Sequence, residues 1–114
     1  MELVNLSPHK VDIVSTDGNV VLTIKSSGEA RAKQADQSAG EVEFGGIVIP
    51  VITTVFGETE NLPEPTEGVG YIVSVITVVA AKSCGRDTSD LYTVGQIVRD
   101  PDGNIVGARA LVRN

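Results

Sequence analysis

The sequence predicts an α+β fold: a mainly antiparallel, strongly twisted sheet or partly open β-barrel, with one short helix near residues 75–84. Three observations predict it. Val, Ile and Thr number 18, 9 and 9 among 114 residues, and branching at Cβ favours a pleated strand over a helix. Three segments carry the signature of a tight hairpin. One stretch, after residue 74, starts and stops like a helix. The length suits a single domain over residues 1–114, because it is too short for two separate cores.

Val11–Val14 and Val20–Ile24 flank Thr16-Asp17-Gly18-Asn19, whose Asp-Gly pair accepts the positive φ of a primed turn. Between Ser26 and Gly40 the chain is rich in Ser, Gly, Ala, Gln and charge. A short strand at Ala30–Lys33 and a mobile loop at Ala35–Gly40 are expected there. Glu41-Val42-Glu43-Phe44, Gly45-Gly46 and Ile47-Val48-Ile49 form the second hairpin signal, with apolar residues and carboxylates alternating. Pro50 removes a ladder donor, which bends Ile47–Phe56 or places it at an edge. Gly57–Gly68 carries Glu58, Glu60, Glu64 and Glu67 with Pro63 and Pro65, and is expected as an acidic loop.

Val69–Val73 reads as a buried strand. Ser74 can cap a helix running from about Val75 to Cys84, with Lys82 near its negative end and Gly85 as terminator. One continuous strand is the competing reading. The last hairpin places Asp100-Pro101-Asp102-Gly103-Asn104 between Gln96–Arg99 and Ile105-Val106. The expected core is Val11, Ile13, Leu22, Ile24, Phe44, Ile49, Val55, Ile72, Ile76, Val79, Ile97, Val106 and Leu111.

The net charge of −6 argues against nucleic acid as a partner, since a phosphate backbone needs a basic surface. One Cys (Cys84) and one His leave no internal disulfide and none of the usual structural zinc sets, and no cofactor is expected. No secretory leader is visible and no apolar run approaches 18 residues, so neither export nor a membrane partner is expected.

Histidine exchanges protons near neutral pH, and His9 follows a rigidifying proline; it is either a general base or ligand donor, or a tie between an N-terminal strand and the body. Gly68-Val69-Gly70 precedes a strand and so is no dinucleotide fingerprint, whereas Ser74 at a helix start is either an anion contact or a plain cap. Gly85-Arg86-Asp87-Thr88-Ser89-Asp90 is the densest polar cluster outside the acidic segment. Arg86 could clamp a phosphate or carboxylate while Asp87 and Asp90 accept from hydroxyls, or all three could brace a loop. The acidic segment lacks the oxygen spacing of an EF-hand, and Cys84 lacks a basic partner other than Arg86. No catalytic motif assembles from spacing alone, so an enzyme is the less favoured class.

Asn5-Leu6-Ser7-Pro8-His9 resembles the Asn-Leu-Thr-Pro-His opening of small phage- and prophage-associated proteins of unassigned activity. The resemblance runs on through Val55-Phe56-Gly57-Glu58, Leu62-Pro63-Glu64-Pro65, Tyr71-Ile72-Val73-Ser74, Arg86-Asp87, Asp90-Leu91 and Val98-Arg99-Asp100. Ser7 keeps the hydroxyl of the usual Thr. The resemblance implies a viral origin, a bacterial host cytoplasm, and Asn5, His9, Ser74, Arg86, Asp87, Asp90 and Arg99 as motif residues.

The sequence therefore supports a non-enzymatic binding module that sequesters a small anionic or nucleotide ligand in counter-defence, with those seven residues as its candidate ligand contacts. The alternatives are a module that engages a host protein through the acidic segment 58–67, and a small hydrolase using His9 with an aspartate. A homo-oligomer is expected, because a short β-rich chain with 4% aromatic residues has little core and several sheet edges.

Overall fold

The computed structural model describes every residue from Met1 to Asn114. Strands take up 56% of the chain, around one helix, in an open twisted arrangement that does not close into a barrel. The elements in chain order are β1 (Glu2–Asn5), β2 (Val11–Val14), β3 (Val20–Ile24), β4 (Arg31–Phe44), β5 (Ile47–Glu60), β6 (Val69–Ile72), α1 (Val75–Ser83), β7 (Leu91–Arg99) and β8 (Ile105–Arg113). The helix is neither long nor apolar enough to cross a membrane.

Six strands form one sheet in the order β1-β6-β7-β8-β2-β3. The β2–β3 and β7–β8 hairpins are antiparallel, as their turn sequences require. Gly18 (φ +88°) and Gly103 (φ +85°) occupy the positive-φ positions of those turns. Three parallel contacts join the pieces: β1 with β6, β6 with β7, and β2 with β8 through Ile13 and Ala108. Parallel neighbours need a crossover, and α1 supplies the one between β6 and β7.

The stretch from 69 to 85 resolves in favour of strand then helix. Ser74 has extended backbone, and its hydroxyl accepts the Thr77 N–H, closing an orphan donor of the first turn. Gly85 follows the helix at φ +78°, a conformation that costs a residue without a β-carbon nothing.

Successive side chains point to opposite faces of the pleat, and β6 and the start of β7 are buried on both. Tyr71, Val73 and Leu91 pack under α1 against Leu6, Ala30, Val78 and Ala81. On the opposite face Ile72, Tyr92 and Val11 gather Leu3, Ile13, Ile24 and Leu111.

The segment between β3 and β6 departs most from expectation. The expected mobile loop at Ala35–Gly40 and the first part of the expected acidic loop are instead strand. β4 and β5 pair over 14 residues each, with irregularities at Ala32/Gln34 and Ser38/Glu41, and Glu58 and Glu60 belong to β5. Small polar residues suffice for a ribbon whose faces are mostly wet, so composition alone reads them as loop. Gly45 and Gly46, at φ +61° and +77°, close the ribbon. Pro50 sits opposite Glu41 on this ribbon, where each strand is an edge.

The core is correspondingly smaller than expected. Val11 and Ile72 are buried, and Ile13, Ile24 and Leu111 pack beside them. Phe44, Ile49 and Val55 lie exposed on the ribbon, and Leu22, Ile76, Val79, Ile97 and Val106 are exposed too. The largest fully buried side chains are Ile72 and Leu91 beside the polar Asn5 and Thr77, and Ala80 and Ala81 are wholly enclosed.

Candidate functional site

The β1–β2 loop, the end of β6, β7 and β8 together enclose an open cleft of about 550 Å³. Its floor is apolar, made by Ile72, Val94, Ile97, Ile105, Val106 and Ala108. Ser7, His9, Lys10, Asp12 and Ser74 supply the polar groups around it.

Asn5 builds the loop that carries three of them. Its side chain is fully enclosed; Nδ2 donates to the carbonyls of His9 (2.9 Å) and Ile24 (3.0 Å). Its Oδ1 accepts the Ser7 N–H at 2.9 Å and lies 2.6 Å from the Ser7 hydroxyl. Asn is the residue type that can fill all four roles, with two donors and a two-lone-pair acceptor. The tie between the N-terminal strand and the body is thus made by Asn5 and the His9 carbonyl. The His9 imidazole lines the cleft without a hydrogen bond inside the chain.

Lys10 Nζ lies 3.3 Å from Asp12 Oδ2 and its side chain is largely exposed. Asp12 also accepts from the Thr23 hydroxyl at 2.6 Å. That bond, opposed by desolvation and helped by Lys10, holds the Asp12 carboxyl below the usual carboxylate range. Ser74 borders the cleft, yet its hydroxyl already meets Thr77 N (3.3 Å) and Thr77 Oγ1 (3.0 Å). Its first task is the cap.

Arg86, Asp87 and Asp90 lie elsewhere. Ser74 precedes α1 and Arg86 follows it, so nine helical residues, about 14 Å, separate the two ends. All four Nη hydrogens of Arg86 are engaged. Nη1 donates to the Asp87 carbonyl (2.7 Å) and Asp90 Oδ1 (2.8 Å), and Nη2 to the Pro63 carbonyl (2.8 Å) and Asp90 Oδ2 (2.9 Å). Only its buried Nε lacks a partner. A guanidinium so arranged staples the Pro63 loop to the start of β7 and offers an incoming anion no free fork. Asp87 closes its own turn: the Ser89 N–H and hydroxyl donate to it, lowering its carboxyl below the usual range. Arg99 reaches the Gly103 carbonyl at 2.9 Å and braces the β7–β8 turn.

Of the seven sequence candidates, the cleft therefore gathers His9 and Ser74, with Asn5 supporting the loop beneath. Sequence reasoning missed Lys10, Ser7 and the apolar floor. Lys10 had one available signal, a cation directly after the Pro8-His9 pair; the floor had none, because it needs Ile72 of β6 and the β1–β2 loop brought against the β7–β8 hairpin. Comparison with protein families, curated proteins and solved structures gives no significant match.

Proposed function

We propose that this chain is a non-enzymatic binding module holding a small ligand of the nucleotide class, with a flat apolar face and an anionic group. The observation that carries the reading is the make-up of the cleft: an apolar floor large enough for a base and sugar, bordered by Lys10 and His9. The floor covers a planar ring, and the Lys10 cation and the His9 ring meet the anionic group. The resemblance of the Asn5–His9 opening to phage-associated proteins supplies the setting: the cytoplasm of an infected bacterium, where sequestering a nucleotide signal would blunt defence.

The hydrolase alternative gains less. The aspartate sharing the cleft with His9 is Asp12, which is held by Thr23 and Lys10, while Asp87 and Asp90 are committed beyond the far end of α1. The acidic-segment alternative is divided, since Glu58 and Glu60 are on β5 and Glu64 and Glu67 on the following loop.

The test is thermal stability against a panel of cyclic and linear nucleotides, with the ligand's mass recorded after incubation. A saturable shift with the ligand recovered intact supports the proposal, and Lys10→Glu should abolish that shift. No shift with any nucleotide overturns it, and conversion of the ligand selects the hydrolase.

A further inference from the structure

The β4–β5 ribbon is an arm without a body. Cross-strand partners share a face, so the pairs Val42–Ile49 and Phe44–Ile47 place four large apolar side chains together near the tip. The alternate pairs, Glu41–Pro50 and Glu43–Val48, put both carboxylates on the other face. Such alternation belongs to a strand with one face covered and one wet. Within the chain nothing covers it: Phe44 is 80% exposed and Ile47 65%.

The arm also stretches the molecule. The radius of gyration is 17.8 Å, against about 13 Å for a compact chain of this length, and the long axis reaches 55 Å. A lone two-stranded ribbon is marginal in water. This one touches the body mainly through α1.

We infer that the arm is an interface between copies of this chain, each copy laying the Val42, Phe44, Ile47 and Ile49 face of its ribbon across its partner. Area favours a reciprocal exchange. At ~3.3 Å per residue and two strand widths, one ribbon face projects at most roughly 450 Å² over its full length. Two ribbons stacked on each other would bury at most about 900 Å², below the ~1,200 Å² of a standard interface. Two arms, each lying on the partner's body under a two-fold axis, bury up to about 1,800 Å², which reaches the standard range. The body leaves apolar surface open: Val75 and Val79, four residues apart on α1, share an exposed stripe. The Glu41 and Glu43 face stays in water. A second copy thus supplies both halves of the contact, arm and receiving surface, without another protein.

The test is the mass of the native chain in solution, by light scattering at about 50 μM, beside Phe44→Glu combined with Ile47→Glu. The native chain should give twice 11.9 kDa, and the double variant should fall to the single-chain mass with an unchanged circular dichroism spectrum. A native mass near 11.9 kDa overturns the inference, and so does a double variant that stays assembled. Hydrogen exchange on the native chain needs no variant. Amides of residues 41–50 should be protected at 50 μM and lose protection at least tenfold on dilution to the single-chain form; protection independent of concentration overturns it. None of these readouts uses a nucleotide, so they stand or fall apart from the cleft.

Discussion

Arg86 and Asp90 are joined by two parallel hydrogen bonds of 2.8 and 2.9 Å, with side chains only 10% and 15% exposed. Both ends of this fork are needed, because the pair lies where the Pro63 loop, the end of α1 and the start of β7 converge. Removing the cation strands a mostly buried carboxylate. Arg86→Ala should therefore destabilise by about 2–4 kcal/mol in urea unfolding. A loss under about 1 kcal/mol would show that the fork does not brace the fold.

Asn5 offers a sharper isosteric test. Asn5→Asp keeps the shape but replaces the Nδ2 donor with an acceptor facing the His9 and Ile24 carbonyls. It should cost about 2–3 kcal/mol, comparable to or greater than Asn5→Ala, since two carbonyls then face a like dipole or charge. Equal stability of Asn5→Asp and native protein, measured by thermal unfolding at pH 7, would refute the role of Nδ2.

Two glycines should fail for different reasons. Gly103 is surrounded by open space but sits at φ +85°. Gly103→Val should therefore cost about 1–2 kcal/mol through backbone strain alone. Gly107 is crowded: a β-carbon there would meet Val14 and come within 2.7 Å of the Asp12 carbonyl oxygen. Gly107→Ala should part β2 from β8, costing about 1–3 kcal/mol and distorting the cleft. Nucleotide-dependent stabilisation should thus suffer in Gly107→Ala and survive in Gly103→Val.

Acid should destabilise the chain through three carboxyls. The carboxyls of Asp12, Asp17 and Asp87 are held below the usual range chiefly by hydrogen bonds from Thr23, Ser15 and Ser89 respectively. A lowered folded value means that the unfolded chain takes up protons first as pH falls. The stability these groups contribute is complete above about pH 4, the unfolded value, and is lost as pH drops through the folded values. The melting temperature measured from pH 6 to pH 2 should fall below about pH 4, and Asp87→Asn should flatten part of that fall. An unchanged acid limb in Asp87→Asn would contradict the assignment.

The local signals in the chain are enough to locate the turns and the helix. Asp17-Gly18, Gly45-Gly46 and Gly103 mark turns because few residues accept positive φ, and Ser74 with Gly85 bounds α1 because a helix must satisfy its end groups. The alternation that marks Val42 and Phe44 as one face of a strand says nothing about what covers that face. Phe44 is therefore expected in the core, whereas it lies in solvent beside Val42. Arg86 shows the same limit at the site. Its sequence neighbours are consistent with either a clamp or a brace, and the Pro63 carbonyl, 23 positions away, helps fill the donors that a ligand would need. The cleft itself exists only because the parallel β6–β7 and β2–β8 contacts and the antiparallel β7–β8 hairpin bring these strands and the β1–β2 loop side by side. Turns, caps and alternation are short-range consequences of backbone sterics and hydrogen bonding, and the sequence by itself determined them. Which strand lies beside which, which apolar face is left open, and whether an arginine is free or engaged depend on contacts between residues far apart in the chain, and only the tertiary structure decided them.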